Sequence, residues 1–106
     1  MDCKLEERLR RWHEQIEKIE PIEKRYLELS ANQKPLLSRL FLTGNGTQKE
    51  REATAYINPE WKIFSDGLVE AEISFNKEIR LLELKKKSFE AEYLTYKIEN
   101  EATRQR

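Results

Sequence analysis

Few residues in this sequence could do covalent or acid–base chemistry, and their spacing argues against it. His13 is the single histidine, and it follows Trp12 on a segment dense with charge. A lone imidazole there is expected to be solvated, because a general base needs a nucleophile and an orienting group converging on it. Cys3 is the single cysteine, with no histidine beside it to draw off its proton, so no nucleophilic role is expected of it. No Cys/His cluster has metal-ligand spacing. Gly44-Asn45-Gly46-Thr47 superficially suggests a phosphate loop, but it lacks the four-residue gap and the Lys-Ser/Thr ending that a phosphate cradle requires. The sequence therefore predicts no enzyme, no catalytic residue, no metal or cofactor and no small-molecule substrate.

The remaining chemistry is charge. Lys77, Arg80, Lys85, Lys86 and Lys87 form the densest basic group, with Phe75, Phe89, Tyr93 and Tyr96 nearby. Cations interleaved with aromatics can track a phosphate backbone and stack unpaired bases, so these five are the candidate single-stranded-DNA contacts. Arg8 and Arg11 are second candidates, if folding brings them to the same surface. The competing reading is a solvated lysine face over aromatics at core spacing. Twenty Lys and Arg balance twenty Asp and Glu. A dedicated duplex binder would carry a basic excess.

The elements that must position these groups are helices. Charged residues make up 38% of the 106 positions, and Gly and Pro number only three each, a composition that points to long helices and coiled coil. Ten aromatics spread along the chain argue against disorder. Leu5, Leu9, Trp12, Ile16 and Ile19 are spaced 4, 3, 4, 3, which predicts a heptad seam on a helix over residues 3–20. Glu7 to Arg11 and Glu14 to Lys18 supply i,i+4 pairs. Pro21 should kink or break this helix. The stripe resumes with Ile22, Tyr26 and Leu29. Ser30 to Lys34 reads as a polar connector, and Pro35 opens a piece through Leu42 that is apolar almost all round. Gly44 is expected to cap it in the left-handed region. Thr47 and Glu50 form a capping box for a short helix from Gln48 to about Tyr56. Asn58 and Pro59 then start a long helix over 59–103.

That last helix carries Trp61, Phe64, Leu68, Ala71, Phe75, Ile79, Leu82, Phe89, Tyr93 and Tyr96 on one stripe. Ile73, Leu81, Leu84, Ala91, Leu94 and Ile98 lie on another. At about 1.5 Å per residue it is too long to wrap inside a compact domain of this size, so it must lie along a partner. The arm 3–42 is the partner within the chain, joined through a turn and short helix over 43–58. The expected fold is all-α: one domain, an antiparallel helical hairpin with a kinked N-terminal arm, coiled-coil-like and oligomeric. Leu5, Leu9, Trp12, Ile16, Trp61, Phe64, Leu68, Phe75, Leu82 and Phe89 are the expected oligomer-interface residues. A homo-oligomer is expected because one seam cannot cover both stripes. The single Cys, the charged start and the lack of a long apolar run predict a cytoplasmic protein without membrane contact.

The segment Thr47-Gln48-Lys49-Glu50-Arg51, set after a Gly turn and before a long amphipathic helix, resembles small bacteriophage accessory proteins of recombination and replication gene clusters. The order of elements is loosely similar to that of T4-type recombination mediators. The resemblance implies a ring-forming helical protein of the host cytoplasm that helps load a recombinase onto single-stranded DNA. Its motif residues are Thr47, Glu50 and Arg51. The expected function is thus a non-enzymatic oligomeric accessory of DNA recombination or replication, contacting single-stranded DNA or a recombination protein. The alternatives are an adaptor or inhibitor acting on a host protein, and a structural coiled-coil subunit.

Overall fold

A computed structural model describes residues 3–104. Three α-helices follow one another: α1 over Cys3–Thr43, α2 over Gln48–Ile57 and α3 over Pro59–Arg104. Among the described residues there is no strand. The chain is all-α, as its composition predicts.

α1 shows none of the breaks that the sequence allows or predicts. It passes through Pro21, through Ser30 to Lys34 and through Pro35 without a break. Each proline removes one backbone hydrogen bond, yet Pro21, Glu17, Pro35 and Ala31 are all exposed, so water can take the freed carbonyls of Glu17 and Ala31. The buried stripe is the stronger force. Leu5, Ile19 and Leu40 are buried, and Trp12, Ile22, Tyr26, Leu29, Leu36, Leu37 and Phe41 are half-buried along the same helix. Tertiary packing of that stripe overrides local propensity. The piece before the turn is not buried all round, since Leu42 remains 73% exposed.

α1 ends where the Thr43 hydroxyl donates to the carbonyls of Arg39 and Leu40. The left-handed residue in the turn is Gly46, at φ 98°, rather than Gly44. A Cβ on Gly46 would strike the Glu50 carboxylate. That carboxylate is held there by the predicted capping box. Glu50 N–H donates to the Thr47 hydroxyl at 3.3 Å, and the Glu50 carboxylate accepts from Thr47 N–H at 3.2 Å. Arg51 Nε donates to the Gly46 carbonyl at 3.1 Å and closes the corner. Asn58 Oδ1 accepts from Glu60 N–H at 2.8 Å at the head of α3.

The contacts fall into two units. The second unit, Ile22–Phe75, holds the rest of α1, all of α2 and the start of α3. Tyr26 stacks on Phe75 at 5.6 Å and Arg39 pairs with Glu60, so α1 and α3 run antiparallel there. Ala55 of α2 is buried, and the Tyr56 ring meets Trp61 edge-on at 5.8 Å. The first unit takes α1 up to Pro21 and α3 from Asn76 onward. It carries the candidate nucleic-acid contacts Arg8, Arg11, Lys77, Arg80, Lys85, Lys86 and Lys87.

Candidate interaction surface

In the first unit the α3 positions that turn inward are Glu78, Leu82, Lys85, Phe89, Glu92 and Tyr96, all buried or half-buried and spaced 4, 3, 4, 3, 4. Opposite them on α1 lie Leu5, Arg8, Trp12, Gln15 and Ile19. Apolar and polar layers alternate. Trp12 packs on Phe89 at 5.5 Å between centroids. On either side of that layer the seam is polar.

Gln15 is the most buried side chain, at 1% exposure, and all its hydrogen-bonding groups are used. Its amide nitrogen donates to the Glu78 carboxylate at 2.6 Å and to the Glu78 backbone carbonyl at 3.1 Å. Its amide oxygen accepts from Lys85 Nζ at 2.8 Å. The orientation of the amide follows from its partners, because an ammonium can only donate and a carboxylate can only accept. Lys18 adds an ion pair to Glu78 at 3.7 Å. The Gln15 hydrogen bond holds the Glu78 carboxyl below the usual glutamate range. Lys18 and the neighbouring Lys77 help, and burial opposes them. In the next polar layer Arg8 donates to Ser88 and pairs with Glu92 at 3.8 Å.

Two residues further along the same helix lies a second series: Lys77, Arg80, Leu84, Lys87, Ala91, Leu94 and Ile98, spaced 3, 4, 3, 4, 3, 4. A step of two residues rotates a helix by about 200°, so this series faces away from the seam. Every member is exposed; Leu84 is 63% and Leu94 and Ile98 are 57% exposed. No acidic residue occurs in it. It has the pattern of a coiled-coil seam with nothing against it.

The basic residues singled out in the sequence divide between these two faces. Lys85 points into the seam toward Gln15, and Arg8 pairs within it. Arg8, Arg11 and Lys85 do come together, lining a small groove of about 170 Å3 with Leu81, Leu84 and Ser88. Arg11 is paired with Glu7 at 2.7 Å, and Lys86 with Glu90 at 3.9 Å. Lys77, Arg80 and Lys87 occupy the outward face, and Arg80 and Lys87 have no acidic partner among the described residues. Glu14 pairs with Arg10 instead of Lys18, which reaches across to Glu78.

The residues expected at an oligomer interface are mostly engaged within the chain. Leu5 is buried; Leu9, Trp12, Trp61, Phe64, Leu68, Phe75, Leu82 and Phe89 are half-buried. Ile16 is the exception, at 46% exposure, since Gln15 takes the seam position expected of it. Likewise Glu78 rather than Ile79 is the buried residue of its turn, and Tyr93 is 50% exposed. What sequence reasoning missed is the polar set Gln15, Glu78, Ser88 and Glu92. The signal was available: Glu78, Lys85 and Glu92 recur every seven residues, in phase with Phe64 and Ala71. His13 and Cys3 are exposed, and no group of His, Cys, Asp or Glu among the described residues could hold a metal ion. No helix among them is long and apolar enough to cross a membrane. No family model matches the chain, and no curated protein or solved structure does either.

Proposed function

We propose that this protein is a non-enzymatic helical binding module, a hairpin whose outward α3 face seats a helix of another protein surface. The observation that carries this reading is the second heptad series on α3, apolar at Leu84, Ala91, Leu94 and Ile98 and basic at Lys77, Arg80 and Lys87. Exposed apolar residues at helix-packing spacing mark an interaction site. The cations between them select a partner helix with acidic flanks. In this reading the protein acts as an adaptor or assembly subunit, and its oligomeric state follows from what that face binds.

A second reading is favoured by a separate observation. The groove that gathers Arg8, Arg11 and Lys85 supports contact with a single-stranded nucleic acid, as an accessory of recombination or replication would make. It ranks second because Arg8 and Arg11 are already neutralised by Glu92 and Glu7.

Fluorescence anisotropy separates the two. The probes are a labelled acidic amphipathic helical peptide and a labelled single-stranded oligonucleotide. The expected result is uptake of the peptide, lost in the Leu84→Asp, Leu94→Asp variant. Uptake of the oligonucleotide alone, falling steeply with salt as counterions are released, would replace the first reading with the second. Uptake of neither would remove both.

A further inference from the structure

The partner helix that the outward face of α3 calls for is present in this chain. One residue along from the α1 seam, Glu6, Leu9, His13, Ile16 and Glu20 are spaced 3, 4, 3, 4. This stripe flanks the seam at about 100° of rotation. Leu9 is half-buried and the other four are exposed, Ile16 at 46%. Glu6 and Glu20 engage no cation among the described residues, and the stripe contains no Lys or Arg. One face of the first unit is therefore acidic and apolar, and another is basic and apolar, at the same repeat.

We infer that the α1 stripe of a second copy of this chain docks on the outward face of α3. The inference rests on the reading of that face as a helix-binding surface and names its occupant. Relative direction follows from matching the series. Run antiparallel, Glu20 meets Arg80, Ile16 meets Leu84, His13 meets Lys87, Leu9 meets Ala91 and Glu6 meets Leu94, so the ion pair of this register is Glu20 with Arg80. Run parallel, Leu9 would meet Arg80 and Ile16 would meet Lys87, which sets apolar groups against cations. The antiparallel arrangement therefore wins. A contact of the α3 face with itself is disfavoured: run parallel, Lys77, Arg80 and Lys87 would confront their own copies, and run antiparallel, Lys87 would meet Lys87 while Lys77 and Arg80 would lie against Ile98 and Leu94. The two faces are different surfaces, so each copy offers one of each. Any closed assembly, pair or ring, makes the contact once per copy.

The test uses the full chain in light scattering and sedimentation equilibrium, with two charge-swapped proteins. One carries Arg80→Glu and the other carries Glu20→Lys, the two residues that the antiparallel register sets opposite each other. Both side chains are exposed and form no ion pair within the described residues, so both variants should fold, which circular dichroism checks. The wild type is expected to self-associate. Each swap alone should weaken association by roughly tenfold or more. Mixing the two swapped proteins should restore it, because the new carboxylate on the α3 face of one then meets the new ammonium on the α1 stripe of the other. A wild type that stays monomeric but takes up the acidic amphipathic peptide overturns self-docking and leaves the helix-binding reading standing. A monomer that takes up no peptide overturns both. Association that neither swap weakens, or that mixing fails to restore, overturns this pairing of faces.

Discussion

Gln15 stands at a seam position that a coiled coil ordinarily fills with leucine, and its value there lies in pairing. Replacing it with Leu removes the acceptor for Lys85 and the donor for the Glu78 carboxylate, leaving both charges at the seam without their neutral bridge. The expected cost is about 1–3 kcal/mol in urea unfolding, even though the new side chain is more apolar. Gln15→Glu should behave differently. It sets a second carboxylate against Glu78, so its stability deficit should be largest near neutral pH and shrink on acidification. The wild type should show the opposite trend. Glu78 titrates below its unfolded value in the folded chain, so it stabilises the fold above roughly pH 4.3 and loses that contribution as pH falls through the folded value. Thermal melts between neutral and acid pH should therefore show a decline that Glu78→Gln flattens. Equal slopes for wild type and Glu78→Gln would mean that the Gln15 bridge does not hold the carboxylate ionised.

At the scale of the element, Pro21 is the informative residue. It sits inside a continuous 41-residue helix, exposed, with no hydrogen bond to give to Glu17. Because its neighbours on the buried stripe hold the helix together, proline is a net cost there. Pro21→Ala should raise the melting temperature, by an amount equivalent to as much as about 3 kcal/mol; a fall would show that the ring makes a contact the helix needs. Pro21 also shows which part of the structure was legible in the sequence. Local rules located both caps, at Thr47 and Asn58, because a cap depends on residues two or three positions away. The same kind of rule placed interruptions at Ser30 to Lys34 and at Pro35, and a kink or break at Pro21, where α1 has no break because the deciding contacts lie on another helix. It failed at Ile16 and Ile79 for a related reason. Choosing seam members by hydrophobicity selected the apolar neighbours of Gln15 and Glu78, and only pairing between two polar side chains from different helices makes the polar choice the stable one. The outward basic face was half visible: Lys77, Arg80 and Lys87 could be grouped on one flank from sequence, but the removal of Lys85 and Arg8 into the seam could not.

For the whole molecule, the contrast is between what is covered and what is left open. Among the described residues five apolar side chains are buried, Leu5, Ile19, Leu40, Ala55 and Ala71, while twelve large apolar residues keep close to half or more of their surface in water. This small core sets the temperature response of the chain. The heat-capacity change of unfolding tracks apolar surface newly exposed to water, and much of that surface is exposed before unfolding begins. Scanning calorimetry on dilute protein should give a heat-capacity increment below the ordinary ~12–15 cal/mol/K per residue. Such a chain has a shallow stability curve, losing little on cooling and gaining little from it. Burying the exposed faces in an assembly would steepen that curve, so a larger heat-capacity increment at high protein concentration would be the thermal signature of surfaces that have found their partner.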